Sequence, residues 1–120
     1  MIQNCRHLKV WQKAMDLMVE SHRLAARLPP AERFELSSQI RRASVSVAAN
    51  IAEGNARSHT KEYLHYLSIA RGSLAELATL LEGGRRVSYF DERDLKSAEE
   101  LGDHVSRMLT RLIASLREKV

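Results

Sequence analysis

Cysteine is nearly missing from this chain. Cys5 stands alone among 120 residues, so no disulfide can close within the chain, and a secreted, disulfide-stapled scaffold is excluded. Two prolines, five glycines and 5% aromatic residues argue against a sandwich or barrel, whose short strands need turn residues every few positions. No apolar run reaches the roughly 18 residues of a membrane span. Met1 to Val10 carries no leader-like apolar block. These absences lead us to expect a protein of the reducing cytoplasm, away from the membrane. What is present is 44% hydrophobic and 28% charged, the balance of an ordinary globular chain. The length suits a single domain spanning residues 1–120.

The breaks divide the chain into four helical segments. Pro29-Pro30 ends the first, His7 to Leu28, because proline cannot continue the backbone ladder and disfavours helix in the residue before it. A short turn over 31–34 leads to the second, Glu35 to Asn55. Gly54-Asn55 is its expected end, since both residues tolerate a left-handed conformation. Ser58 or Thr60 is placed to cap the third helix, which ends at Gly83-Gly84 or just beyond. Asp91 caps the fourth, which runs to about Glu118. Short loops between long helices predict an all-α, antiparallel, up-down-up-down four-helix bundle.

The apolar arcs are broader than a lone bundle requires. In the first helix, Leu8, Trp11, Met15, Met18, His22 and Ala25 form the expected main stripe, with Val10, Leu17 and Leu24 beside it. Together they cover roughly 220°, against roughly 100° for an ordinary core-facing stripe. Tyr63, Leu67, Ala70, Leu74, Leu77 and Leu81 centre the third helix. The second has two faces: Leu36, Ile40, Ala43, Val47 and Ile51 on one side, Val45, Ala48, Ala49 and Ala52 on the other. A second apolar face is expected to bury against other subunits.

Reactive constellations were sought among the polar residues. Glu62 and His65 make one Glu-x-x-His pair without the second that a di-iron bundle needs, so no metal is expected. Gly72-Ser73 lacks the flanking glycine of a nucleophile elbow. No catalytic residues and no cofactor are expected, and the chain is read as a non-enzyme. Arg42, Asn50, Glu53, Arg57, Glu62, Ser73 and Glu76 straddle the turn between the second and third helices. Acids and arginines together could serve acid–base catalysis; a structural network holding the helix register is the favoured reading, because half-buried charges persist only when paired. On that reading, loss of Arg57 should cost a few kcal/mol.

Leu8-Lys9-Val10-Trp11-Gln12-Lys13-Ala14 and the blocks Leu36 to Ala43, Ser46 to Gly54 and Leu67 to Leu77 carry a resemblance. They look like the bacterial four helix bundle family encoded in 23S rRNA intervening sequences, also labelled S23 ribosomal proteins. The chain is also similar to the accessory variability protein of diversity-generating retroelements. Glu35 stands where the family commonly has glycine, and Ala48 where many members have proline. The resemblance implies a homopentamer of four-helix subunits with basic surfaces. For the retroelement relative it implies binding to a reverse transcriptase and to nucleic acid.

The formal charge is +4, with residues 1–28 holding +3, residues 29–58 and 59–90 each +1, and residues 91–120 −1. The fourth segment is acidic early and basic late, which suits the helix macrodipole. The expected function is a non-enzymatic oligomeric protein that binds RNA or a ribonucleoprotein partner, with a protein scaffold as the alternative. Lys9, Lys13 and Arg27 on the first helix's polar arc are the leading phosphate-contact candidates, followed by Arg41, Lys61, Arg85 and Arg86.

Overall fold

The computed structural model describes residues 5–120; the first four residues of the stretch read for a leader lie outside it. Four α-helices are present among the described residues: α1 (Lys9–Ala26), α2 (Leu36–Asn55), α3 (Thr60–Arg86) and α4 (Glu92–Arg117). A single 3₁₀ turn, Pro30–Glu32, follows Pro29 where the diproline ends α1. α1 packs on α2 and α4, and α3 packs on the same two, so the helices form an antiparallel ring of four. The bundle measures 45 × 22 × 20 Å. No helix among the described residues is long and apolar enough to cross a membrane.

The ends of the helices follow local chemistry with two exceptions. Asp91 accepts the Asp94 amide at 2.8 Å, and Asp94 accepts the Asp91 amide at 2.9 Å, a reciprocal box that opens α4. α3 starts differently from expectation. His59 occupies the cap position with no side-chain hydrogen bond, and Thr60 is already helical. Gly83-Gly84 is also not a turn: α3 runs through both to Arg86, and the residue with positive φ is Ser88, at 69°. Gly84 is there for contact, since a Cβ would come within 2.7 Å of the Phe90 ring. Gly54 serves α2 in the same way. Its backbone is not left-handed, and an added Cβ would sit 2.9 Å from Tyr63 Cδ1 and 3.0 Å from Tyr66 Cβ.

The core selects faces that patterning ranked differently. In α1, Val10, Ala14, Leu17, Ser21, Leu24 and Ala25 are buried, so the expected secondary stripe is the true core. Trp11, Met15, Met18 and His22 are only partly covered. Both stripes are apolar, and the placement of α2 and α4 decides between them. In α3 the expected centre holds: Leu67, Ala70, Leu74, Leu77 and Leu81 are buried, with Tyr63 partly so. In α2, Ile40, Ala43, Val47 and Ile51 enter the core, and Ala48 joins them at 4% exposure rather than facing outward. Val45 and Ala49 remain exposed, as does Ile69 on α3. Cys5, expected in a tail, is buried.

Candidate nucleic-acid interface

Residues of the predicted polar network gather along the outer seam of α2 and α3, but they form two separate clusters. Ser46 and Ser73 hydroxyls meet at 2.7 Å, and the Asn50 amide donates to the Ser46 carbonyl at 2.8 Å and to its Oγ at 3.0 Å. This cluster is small, neutral and half-buried, and it sets the α2–α3 register. One and two turns further along α2, Glu53 and Arg57 pair at 3.3 Å. Arg57 Nη2 also donates to Tyr66 Oη at 2.8 Å, with the guanidinium 4.8 Å from the centre of the Tyr66 ring. Arg42, Glu62 and Glu76 are exposed and make no ion pair among the described residues. The expectation that arginines hold half-buried carboxylates is therefore met only by one largely solvated pair. Patterning missed Tyr66 as a hydrogen-bonding member, whereas Ser46 lies four residues before Asn50 on the same polar edge of α2, the spacing at which helical side chains meet.

Tyr63 lies beside this seam. Burial pushes its phenol above the ordinary range, against the bond that Asn55 Nδ2 donates to it at 3.2 Å.

The seven expected phosphate contacts fall into two groups. Arg27 Nη2 lies 2.8 Å from Asp94 Oδ1, so its charge is held between α1 and α4. Arg85 and Arg86 both close on Glu82, at 2.7 and 2.9 Å. Their hydrogen bonds hold the Glu82 carboxyl at a pKa of about 2. The Asp94 carboxyl is also lowered, first by the Asp91 amide and then by Arg27. Lys9, Lys13, Arg41 and Lys61 make no ion pair among the described residues. Lys9 and Lys61 are exposed. α1 and α3 run in the same direction, so the starts of these two helices bring Lys9 and Lys61 to one end of the bundle.

Two grooves mark where cations are not concentrated. The larger, about 610 Å³, opens between α3 and α4 over Leu17, Leu74, Leu77 and Leu81, with Glu82, Glu99 and Asp103 on its rim against a single Arg71. A shallower groove of about 510 Å³ lies between α1 and α4. There Lys13 and Arg23 share walls with Asp16, Glu20 and Glu100. The polar arc of α1 thus faces acids of α4 along much of its length. No group of three or more metal-ligating side chains occurs among the described residues.

No curated protein matches this sequence. The fold is similar to the 1.70 Å crystal structure of a protein of unknown function from the S23 ribosomal protein family of Bacteroides thetaiotaomicron VPI-5482. The two are 25% identical, superpose with a TM-score of 0.80, and the match covers 87% of this chain and 97% of the other. Residues 6–111 match the sequence profile of the 23S rRNA-intervening sequence proteins. That match spans all of α1, α2 and α3 and most of α4, and the chain belongs to the 23S rRNA-intervening sequence protein family.

Proposed function

We propose that the protein is a non-enzymatic, oligomeric RNA-binding protein that holds phosphates through basic side chains. The observation that carries this reading is the pair Lys9 and Lys61, exposed and without ion pairs at one end of a chain of formal charge +4. The family's name ties these proteins to a 23S rRNA intervening sequence, which makes a structured RNA the first probe to try. Cations of this kind gain affinity by releasing counterions from phosphates, so the binding is expected to weaken steeply with salt. The test is fluorescence anisotropy with a structured RNA over a salt series. An affinity that does not change with salt would remove the phosphate reading.

Self-association has separate support. Val45, Ala49 and Ile69 are exposed on α2 and α3, and Arg42, Glu62 and Glu76 on the same two helices make no ion pair among the described residues. A second copy would cover the first group and pair the second. A homopentamer is the assembly we expect, carrying a formal +20. Sedimentation equilibrium at micromolar concentration decides this, and a mass of 13.6 kDa would overturn it. The second functional reading is a protein scaffold, a reverse transcriptase being one partner. The leucine-floored groove between α3 and α4 favours it, and it takes the lead if no RNA is bound.

A further inference from the structure

Cutting each helix at its midpoint divides the bundle into two halves with different electrostatics. The register supports the cut, because Ser46 and Ser73, which border it on α2 and α3, meet across the seam. One half comprises residues 5–17, 46–73 and 105–120. It holds ten Lys/Arg and four Asp/Glu, a formal +6. The other comprises residues 18–45 and 74–104, with nine and eleven, a formal −2. Ion pairing widens the contrast. Four pairs, Arg23–Glu20, Arg27–Asp94, Arg85–Glu82 and Arg86–Glu82, lie in the second half, and only Arg57–Glu53 lies in the first. Nine of the first half's ten cations therefore have no ion pair among the described residues, and all of those except Lys13 are exposed.

We infer that this basic pole, formed by the starts of α1 and α3, the α2–α3 turn and the end of α4, is the surface that grips a nucleic-acid phosphate backbone. The inference rests on the RNA reading above and places its site. The charge is a side-chain effect: two helices begin at this end and two finish there, so their macrodipoles offset one another. α4 supplies what the α1 arc lacks. Arg107, Arg111 and Arg117 lie in its second half and Lys119 just beyond its end, at the end of the bundle where α1 begins with Lys9, while the acids within α4, Glu92 to Asp103, lie in its first half. A face 20 Å across meets roughly a dozen phosphates at a spacing of about 1.7 Å of duplex axis per charge. The rest of the molecule opposes such a ligand, with Glu82, Glu99 and Asp103 rimming its main groove. Contacts to phosphates read no bases, so the grip is independent of sequence.

The test compares two double reversals of equal charge in the full chain. Lys61→Glu with Arg111→Glu removes four charges from the pole; Arg93→Glu with Lys96→Glu removes four from the other half. The probes are a fluorescent RNA duplex of mixed sequence and a heparin column, with circular dichroism confirming the fold. At 0.1 M salt the pole variant is expected to bind the duplex at least ~30-fold more weakly, with its salt slope reduced by about 2. The control is expected to stay within about threefold of the parent. The pole variant should also leave heparin at lower salt than the control. Equal losses in both variants, or a parent chain that heparin does not retain, would overturn the pole. Pole-dependent retention on heparin without any duplex binding would keep the pole as a polyanion site and remove the RNA reading. If the reversal does not fold, Lys61→Gln with Arg111→Gln makes the same comparison at half the charge change.

Discussion

The two halves of this bundle share a core and a helix count but dispose of their charges in opposite ways. In the half that holds the α1–α2 and α3–α4 connections, arginines pair at the surface with neighbouring acids: Arg27 with Asp94 between helices, Arg85 and Arg86 with Glu82 within a turn. In the other half the cations point to solvent with few acids in reach. Net charge alone hides this. A chain of +4 is only mildly basic, whereas an end of +6 with one of its ten cations in an ion pair is a concentrated field for a polyanion. The contrast also separates two kinds of polar contact. Most ion pairs lie in the acidic half, whereas the basic half is held at its seam by hydroxyls, an amide and tyrosines.

The largest expected effect comes from two glycines, one in each half, that admit a neighbour too closely for a side chain. Gly54→Ala pushes a Cβ against Tyr63, Tyr66 Cβ and the Tyr63 carbonyl, atoms close to the α3 backbone. It should lower stability by about 2–3 kcal/mol, the upper part of the range for overpacking. Gly84→Ala clashes with the Phe90 ring, a side chain rather than backbone, and about 1–2 kcal/mol is expected. Urea melts of the two variants give the comparison directly. If Gly84→Ala is the more damaging, the α2–α3 contact is looser than the geometry indicates.

Arg57→Ala comes next. The sequence pattern suggested a cost of a few kcal/mol, but the pair with Glu53 is exposed at 37% and 51%, and solvated pairs contribute little. The Tyr66 hydrogen bond and ring contact add to it, so about 1 kcal/mol is expected in a thermal or urea melt. A loss above about 3 kcal/mol would restore the buried network as one completed by a second subunit, and would show as concentration dependence of the melt.

A smaller effect of opposite sign is expected in the acidic half. Ser21 is completely buried in α1, and its Oγ has no hydrogen-bond partner among the described atoms. Ser21→Ala removes an unsatisfied hydroxyl and replaces it with the best helix former, so stability should rise by about 1 kcal/mol. A loss in a urea melt would mean that the hydroxyl is satisfied in solution.

The smallest effect on stability is expected from acid, despite a large shift. Glu82 titrates at about 2 rather than 4.5, because Arg85 and Arg86 favour its charged form. A carboxylate with a lowered folded-state pKa stabilises the fold above its unfolded value. That contribution is lost as pH falls from about 4.5 toward 2. Asp94 acts in the same direction. Both are screened by water, so carboxyl NMR titration is the measurement. Glu82 protonating near its ordinary value would show that the paired half is not paired in solution.

By itself the sequence determined the features that depend on neighbours along the chain. Pro29-Pro30 stops α1 because proline lacks the amide that the ladder needs, and Asp91 with Asp94 opens α4 because each carboxylate reaches the other's amide. Four helices in an antiparallel bundle followed from such breaks, and the blocks around Ser46–Gly54 and Leu67–Leu77 carried the family. Tertiary structure alone decided which of two apolar stripes of α1 is buried, since both satisfy the helical period and only the placement of α2 and α4 distinguishes them. It decided why Gly54 is glycine, a matter of two tyrosines on another helix rather than of local backbone. It also decided the basic pole. The charges of α4 average to nearly nothing along the chain, and they add to those of α1 and α3 only when antiparallel packing brings their ends together, because electrostatic fields sum over space and not over sequence.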